Sequence, residues 1–260
     1  MMVKGGRLSF RKGLYRLRFS VKQSNLLVVS DRLMAIEKAV ESVLHHRNLL
    51  EDYIRKNPAY LFALSPIRVR EEAPKIVRLA AEAGEQAGVG PMAAIPGALA
   101  ELMVEDMKPY SLSVSMVENG GEIAANSKIP LNVGVYAGFS PVSGKIGFRL
   151  EREDFPVGLA TSSATVSHAL SFGEADSVIV FSDSASLSDA AATAIGNIVR
   201  GKDVEGSVQR GLEKAEGICG LRGVMVVRGK YVGVVGKLPK MLVLDGDFRG
   251  MFEASNMVFL

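Results

Sequence analysis

Residues 111–125 read Ser111-Leu112-Ser113-Val114-Ser115-Met116-Val117, then Glu118-Asn119-Gly120-Gly121-Glu122, then Ile123-Ala124-Ala125. Two apolar runs flank a polar pentapeptide that contains an Asn-Gly pair. Such a pair between strand-like runs is among the strongest hairpin signals, because the tight turn needs left-handed backbone at its centre. The same glycines would let a backbone approach a ligand and offer it amides, with Glu118, Asn119 and Glu122 as polar contacts. The hairpin is the simpler reading, and both stay open.

Working outward, strand-like runs also occupy residues 133–136, 145–150 and 177–181, with a glycine-rich turn at 138–144. A helix is expected over about 187–199 and a shorter one over 204–214. A further hairpin pairs 224–227 with 231–235 through Arg228-Gly229-Lys230. Upstream, Tyr15, Leu17, Phe19 and Val21 alternate with Arg16, Arg18, Ser20 and Lys22, which marks a half-buried strand. Gln23-Ser24-Asn25 turns it into a second strand at 26–29. Asp31 is expected to cap a helix reaching about residue 56, with His45, His46, Arg47 and Glu51 on or near its polar side. Residues 59–73 read as a short strand or a loop. Pro74 opens a helix to about Ala87, and the next helix, from Met92, is either kinked at Pro96-Gly97 or begins there.

This order lacks the strict strand–helix alternation of a doubly wound sheet. The expected class is α+β, with mixed or antiparallel sheets, helices to one side and room for two similar halves. We expect one domain over 1–260, opening on a hairpin within 1–30 and closing on a peripheral segment over 240–260.

Charge and composition exclude several functions. The net charge is +3, from 31 basic and 28 acidic side chains, too even to argue for nucleic acid. The basic cluster Lys4, Arg7, Arg11, Lys12, Arg16, Arg18 and Lys22 could contact phosphates, but the simpler reading is the solvated face of the first hairpin. The lone Cys219 excludes an internal disulfide and reads as a small buried filler. No apolar run reaches membrane-spanning length, and no leader-like apolar segment opens the sequence, so a cytoplasmic, non-membrane protein is expected. Apolar helices leave room for a homodimer.

Two further segments suggest chemistry. In Ser188-Asp189-Ala190-Ala191-Ala192-Thr193, a helix places the Asp189 carboxylate and the Thr193 hydroxyl on one face. Those are hard oxygen ligands suited to magnesium and the phosphates it carries. If the helix begins near Asp189, its free amides also favour an anion. The plainer reading is that Ser186, Ser188 or Asp189 caps the helix. The second segment, Ala160-Thr161-Ser162-Ser163-Ala164-Thr165-Val166-Ser167-His168, is rich in hydroxyls and ends in a histidine. It could wrap a phosphate or ribose while His168 bonds a ring or moves a proton, or the histidine could be structural. The Gly-x-Ser-x-Gly nucleophile turn, the Gly-x-Gly-x-x-Gly fingerprint and the P-loop are all missing.

In their order, Asn119-Gly120-Gly121-Glu122, Ala160-Thr161-Ser162-Ser163 and Ser188-Asp189-Ala190-Ala191-Ala192-Thr193-Ala194 resemble the ApbE-like superfamily. It includes the FAD:protein FMN transferases, also described as thiamine-biosynthesis lipoproteins. Gly90-Pro91-Met92-Ala93-Ala94 and residues 161–173 sharpen the likeness to a compact, soluble branch found in archaea and bacteria, over nearly all of residues 10–240. The resemblance implies magnesium-dependent cleavage of FAD and transfer of FMN to a threonine or serine of an acceptor protein. It implies Asp189 and Thr193 as metal ligands and Asp189 and His168 as catalytic residues. Asn119, Gly120, Gly121, Glu122, Thr161, Ser162, Ser163 and Thr165 would then hold FAD or another nucleotide, or a different small phosphorylated ligand. It also implies a link to sulfur assimilation leading to homocysteine, in which a non-catalytic accessory protein is the alternative. The sequence departs from the family where the transferases carry Asp-x-Gly-Gly-Ile-Ala-Lys-Gly: here the region reads Ala94-Ile95-Pro96-Gly97-Ala98-Leu99-Ala100-Glu101, so the lysine is replaced by an acid or has no counterpart. The His-Ile-Ile-Asp-Pro segment is missing too, and His168 is only a positional stand-in.

Overall fold

The structure, a computed structural model, describes residues 4–134, 144–162, 173–244 and 257–259. Three strands open it: β1 (Lys4–Arg11), β2 (Leu14–Val21) and β3 (Ser24–Ser30). The long helix α1 (Leu33–Lys56) follows, ending before Pro58. Asp31 does not cap it. Its carboxylate accepts hydrogen bonds from the backbone amides of Leu112, Ser113 and Val114, which ties the exit of β3 to the strand that pairs with it. His46 and Arg47 also differ from expectation, because both are 8% exposed and turned inward. Arg47 Nη1 and Nη2 donate to Ser24 Oγ and Gln23 Oε1 on the first hairpin, which offsets part of the cost of its burial, while its buried Nε finds no hydrogen-bond partner.

Residues 59–62 form the short helix α2 (Ala59–Phe62), not a strand. Next come α3 (Lys75–Ala87), closed by left-handed Gly88, and a 3₁₀ turn over Pro91–Ala94. Helix α4 (Ile95–Met107) begins afresh there, with Pro96 in its first turn, where a missing amide costs nothing.

The remaining elements are β4 (Val114–Asn119), β5 (Glu122–Ser127), β6 (Leu131–Gly134), β7 (Ile146–Leu150), β8 (Val157–Ser162) and β9 (Ser177–Ser182). After them come α5 (Ala185–Ile198), α6 (Val204–Glu216), β10 (Leu221–Arg228), β11 (Tyr231–Gly236), β12 (Lys240–Val243) and β13 (Met257–Phe259).

One nine-stranded sheet runs in the order β1-β2-β3-β4-β5-β8-β9-β10-β11, every neighbour antiparallel. A second sheet, β12-β7-β6-β13, contains the one parallel pair among the described strands, β13 with β6. Helices cover one face of the large sheet and the second sheet covers part of the other. Period-two alternation in β9 shows the sorting: Val178 and Val180 pack on helices, Ile179 and Phe181 on the second sheet. Each such side chain removed from water contributes about 1.5–3 kcal/mol. Helices α1 and α4 cover β2 and β3 through Phe19, Val21, Leu26 and Val28, while α3, α5 and α6 cover β9 and β10. Cys219 is exposed, since the neighbouring Ile218 fills the core beneath that turn. No single helix among the described residues is long and apolar enough to cross a membrane.

Candidate functional site

The Asn-Gly-Gly turn joins β4 to β5 as a two-residue hairpin, with Asn119 paired to Glu122. Gly120 and Gly121 have φ of 73° and 122°, so both positions favour glycine. Asn119 and Glu122 share the helix-facing side of the sheet. Asn119 Nδ2 donates to the Pro96 carbonyl at 3.0 Å, which docks the turn onto the start of α4. One residue on, the Gly97 amide donates to Asp189 Oδ2 at 2.8 Å. That amide is among the first of α4, which the helix itself leaves unpaired, so a carboxylate is well placed to accept from it. The approach is tight: a Cβ on Gly97 would lie 2.2 Å from the Ala185 carbonyl oxygen and 2.9 Å from Asp189 Cβ.

Asp189 lies in the second turn of α5, not at its start. Ser184 is the N-cap, its hydroxyl accepting from the Leu187 amide. The opening amides of α5 are therefore not offered beside Asp189. They face Glu101 of α4, whose Oε2 accepts from the Ser184 hydroxyl and from both the amide and the hydroxyl of Ser186. Ser188 turns to the sheet, bonding Ser182 Oγ and donating to the Gly158 carbonyl.

Burial shapes the electrostatics. Asp189 is 7% exposed and Glu122 8%. Burial pushes the Asp189 carboxyl up to about 8, against the pull of the Gly97 amide. Glu122 is raised well above the usual carboxylate range by burial, then by repulsion from Asp189 and Glu118. Glu118 is raised to about 7 by burial, offset by Arg18 and by the amides of Gly121 and Gly120.

The pleat separates the remaining expected residues. Ala160, Thr161 and Ser162 are the end of strand β8, where the hydroxyl-rich sequence suggested a ligand-wrapping segment. Ser162 lies near α5, where a Cβ on Gly196 would come 3.4 Å from its Oγ. Thr161 alternates to the other face and lies against the turn, its Oγ1 3.1 Å from where a Cβ on Gly121 would be. Thr193 is one turn beyond Asp189 and half-buried. Ser163, Thr165 and His168 lie outside the described residues. Glu101 and the Gly97 amide are the site groups that the sequence reading had given no role. Glycine just after proline at a helix start was the available signal for the second.

Among the described residues, no group of three or more His, Cys, Asp or Glu side chains is gathered closely enough to hold a metal. Magnesium asks for less, because it keeps several waters and is commonly bound through one or two carboxylates. The expected ligands are Asp189 and, one helical turn beyond it, Thr193; Glu122 is the acid beside Asp189.

A sequence model of the family described as "AbpE bacteria" matches residues 7–218. The chain belongs to this family. It is 43% identical to a UPF0280 protein of Methanocaldococcus jannaschii, over 89% of this chain and 94% of that one. A UPF0280 protein of Methanopyrus kandleri is 39% identical over 90% of this chain and 95% of its own length. Among solved structures, the apo flavinyl transferase ApbE of Pseudomonas stutzeri superposes with a TM-score of 0.55, covering 88% of this chain and 94% of that one at 14% identity. This likeness makes the fold of the AbpE-family chain ApbE-like, a distant kinship in architecture.

Proposed function

We propose that this protein is a magnesium-assisted enzyme acting on a flavin nucleotide, or a related phosphorylated ligand, at the Asn119–Glu122 turn. The observation that supports this most is the burial of Asp189 and Glu122 together on the helix-facing side of that turn. Two acids share a nearly dry space where an apolar pair would be cheaper, which is a common mark of a functional site. Asp189, with Oδ2 held by Gly97, and Thr193 would hold the cation; Glu122 would stand beside it. Bound there, magnesium would neutralise a diphosphate and ease departure of the nucleotide leaving group. The chain itself orients the acids, through Gly97 and the Asn119–Pro96 bond, and screens the site from water beneath α4 and α5. A hydroxyl of an acceptor protein is the receiving group in this reading.

Glu101 favours a second reading. It fills the start of α5 in the segment where the transferases carry a lysine. A protein that kept the fold and lost the chemistry, delivering a ligand in sulfur assimilation, is consistent with that change.

Native mass spectrometry with magnesium and FAD, read alongside chromatography for AMP, separates the two. The enzyme reading expects bound flavin and magnesium-dependent AMP release, both lost in Asp189→Ala. Flavin binding without turnover supports the accessory role. Unchanged magnesium-dependent binding in Asp189→Ala removes the metal assignment.

A further inference from the structure

The two sheets bare their inner faces along one side of the molecule. β11 ends the nine-stranded order and β12 ends the other, so each carries an edge that no described strand pairs. Only residues 237–239 join them. An extended connector of that length spans about 10 Å, the usual separation of stacked sheets. Both edges therefore open on the same side.

Their side chains face the space between the layers. Val232 lies opposite Val227 and Val234 opposite Met225, and both of those partners are buried against the second sheet. Met241 lies opposite Phe148 and Val243 opposite Ile146, which pack on the same core from the other layer. Directly opposed residues share a face, so all four point inward. Yet Val232 is 50% exposed, Val234 47%, Met241 51% and Val243 79%. These are core-facing positions with nothing over them, and together they form an apolar strip. Helix α6 does not cover it, because that helix packs on the opposite face of β11, with Val208 and Leu212 against Gly233.

The other edge of the large sheet is guarded. β1 breaks register between Lys4 and Arg7 and carries Lys4, Arg7 and Arg11 within the strand. Bulges and charges of this kind discourage another strand from pairing. β11 reads Tyr-Val-Gly-Val-Val-Gly, pairs with β10 without a shift, and holds no charge and no proline. Charge stands around it instead: residues 229–244 contain Lys230, Lys237 and Lys240 and no acid.

We propose that β11 is a docking edge for an extended segment of a partner protein, one that alternates apolar with polar residues and carries acids at its ends. The backbone of that segment would pair with the free edge of β11, adding a strand to the sheet. Every second side chain would enter the space beside Val232, Val234, Met241 and Val243, and the terminal carboxylates would meet the lysines. A second copy of this chain suits the edge less, because its own β11 would bring the same lysines. The proposal is independent of the enzyme reading at Asp189.

Fluorescence anisotropy with the full chain tests this. One labelled peptide has a core of alternating valine and threonine flanked by glutamates, and a second has the same core flanked by lysines. The acidic peptide should bind saturably at low salt, and the lysine-flanked one about tenfold more weakly or worse. Val234→Lys and Val232→Lys should each weaken the acidic peptide by about tenfold or more. Both valines are half in water, so the fold should carry the charge, and an unchanged thermal unfolding midpoint checks that. Leu8→Lys, an exposed position on the guarded edge strand, should bind as the wild type does. No saturable binding, equal binding of the two peptides, wild-type affinity in both valine variants, or loss in Leu8→Lys would each overturn the proposal. A sedimenting dimer that Val234→Lys dissociates would overturn it in favour of a second copy. Slow hydrogen exchange at every amide of 231–236 in the free monomer would overturn it in favour of the chain covering its own edge.

Discussion

Asp189 and Glu101 cap each other's helices. Asp189 of α5 accepts from the Gly97 amide in the first turn of α4, and Glu101 of α4 accepts from the Ser186 amide in the first turn of α5. Two helix starts, each with unpaired amides and a partial positive charge, are satisfied by acids from the neighbouring helix. The exchange fixes the two helices in one register and holds Asp189 against the Asn119–Glu122 turn.

Removing one half of this exchange should cost stability. Glu101→Ala leaves the Ser186 amide and two serine hydroxyls short of an acceptor in a partly buried setting. The expected loss is about 1–3 kcal/mol. Urea denaturation followed by far-ultraviolet circular dichroism reads it, as a lower midpoint at unchanged slope. A midpoint equal to the wild type would mean that water replaces Glu101 without penalty.

Adding a methyl group should cost at least as much. In Gly97→Ala the new Cβ meets the Ala185 carbonyl oxygen and Asp189 Cβ well inside contact distance. Overpacking of this kind costs about 1–3 kcal/mol or more. Thermal unfolding of the variant should begin at a lower temperature, and any magnesium affinity should fall with it, because Asp189 must move. A variant as stable as the wild type would show that α4 and α5 can separate freely.

Stability should decline as pH rises. In the unfolded chain the three carboxyls titrate near 4. Folded, Glu118 is raised to about 7, Asp189 to about 8 and Glu122 well above its usual range. Between these limits the native state holds more protons, so the sign of the linkage is a loss of stability with increasing pH, complete only above the folded values. Each retained proton adds a slope of about 1.4 kcal/mol per pH unit. Asp189→Asn removes one such share and should flatten the curve between about pH 4, the unfolded value, and about pH 8, the folded one. Parallel curves for the two proteins would show that Asp189 is ionised throughout.

Local signals in the sequence were read well where local physics decides the outcome. The alternation in residues 15–22 and the Asn-Gly pair at 119–120 fixed strands and a turn, because pleat and left-handed backbone are properties of a few neighbouring residues. Pro96-Gly97 left a kink or a helix start open, and the structure takes the start. The failures are contacts made at a distance. Asp31 looked like a helix cap but serves β4, and Asp189 looked like the start of its own helix but caps one that begins some 90 residues earlier. Thr161 and Ser162 read as one ligand segment, whereas strand β8 sends them to opposite faces. His46 and Arg47 read as solvated because nothing near them in sequence announces Asp106 or Ser24 as partners.

Glu118 and Asn119 are adjacent on β4 and answer to different neighbours, Arg18 on one side and Pro96 on the other. Recombination between relatives would feel this constraint. A chimera that imports only the hairpin inherits two foreign interfaces at once. Exchanging the first hairpin and the α4 start along with it keeps both, so viable crossover points should avoid the stretch between residues 18 and 122.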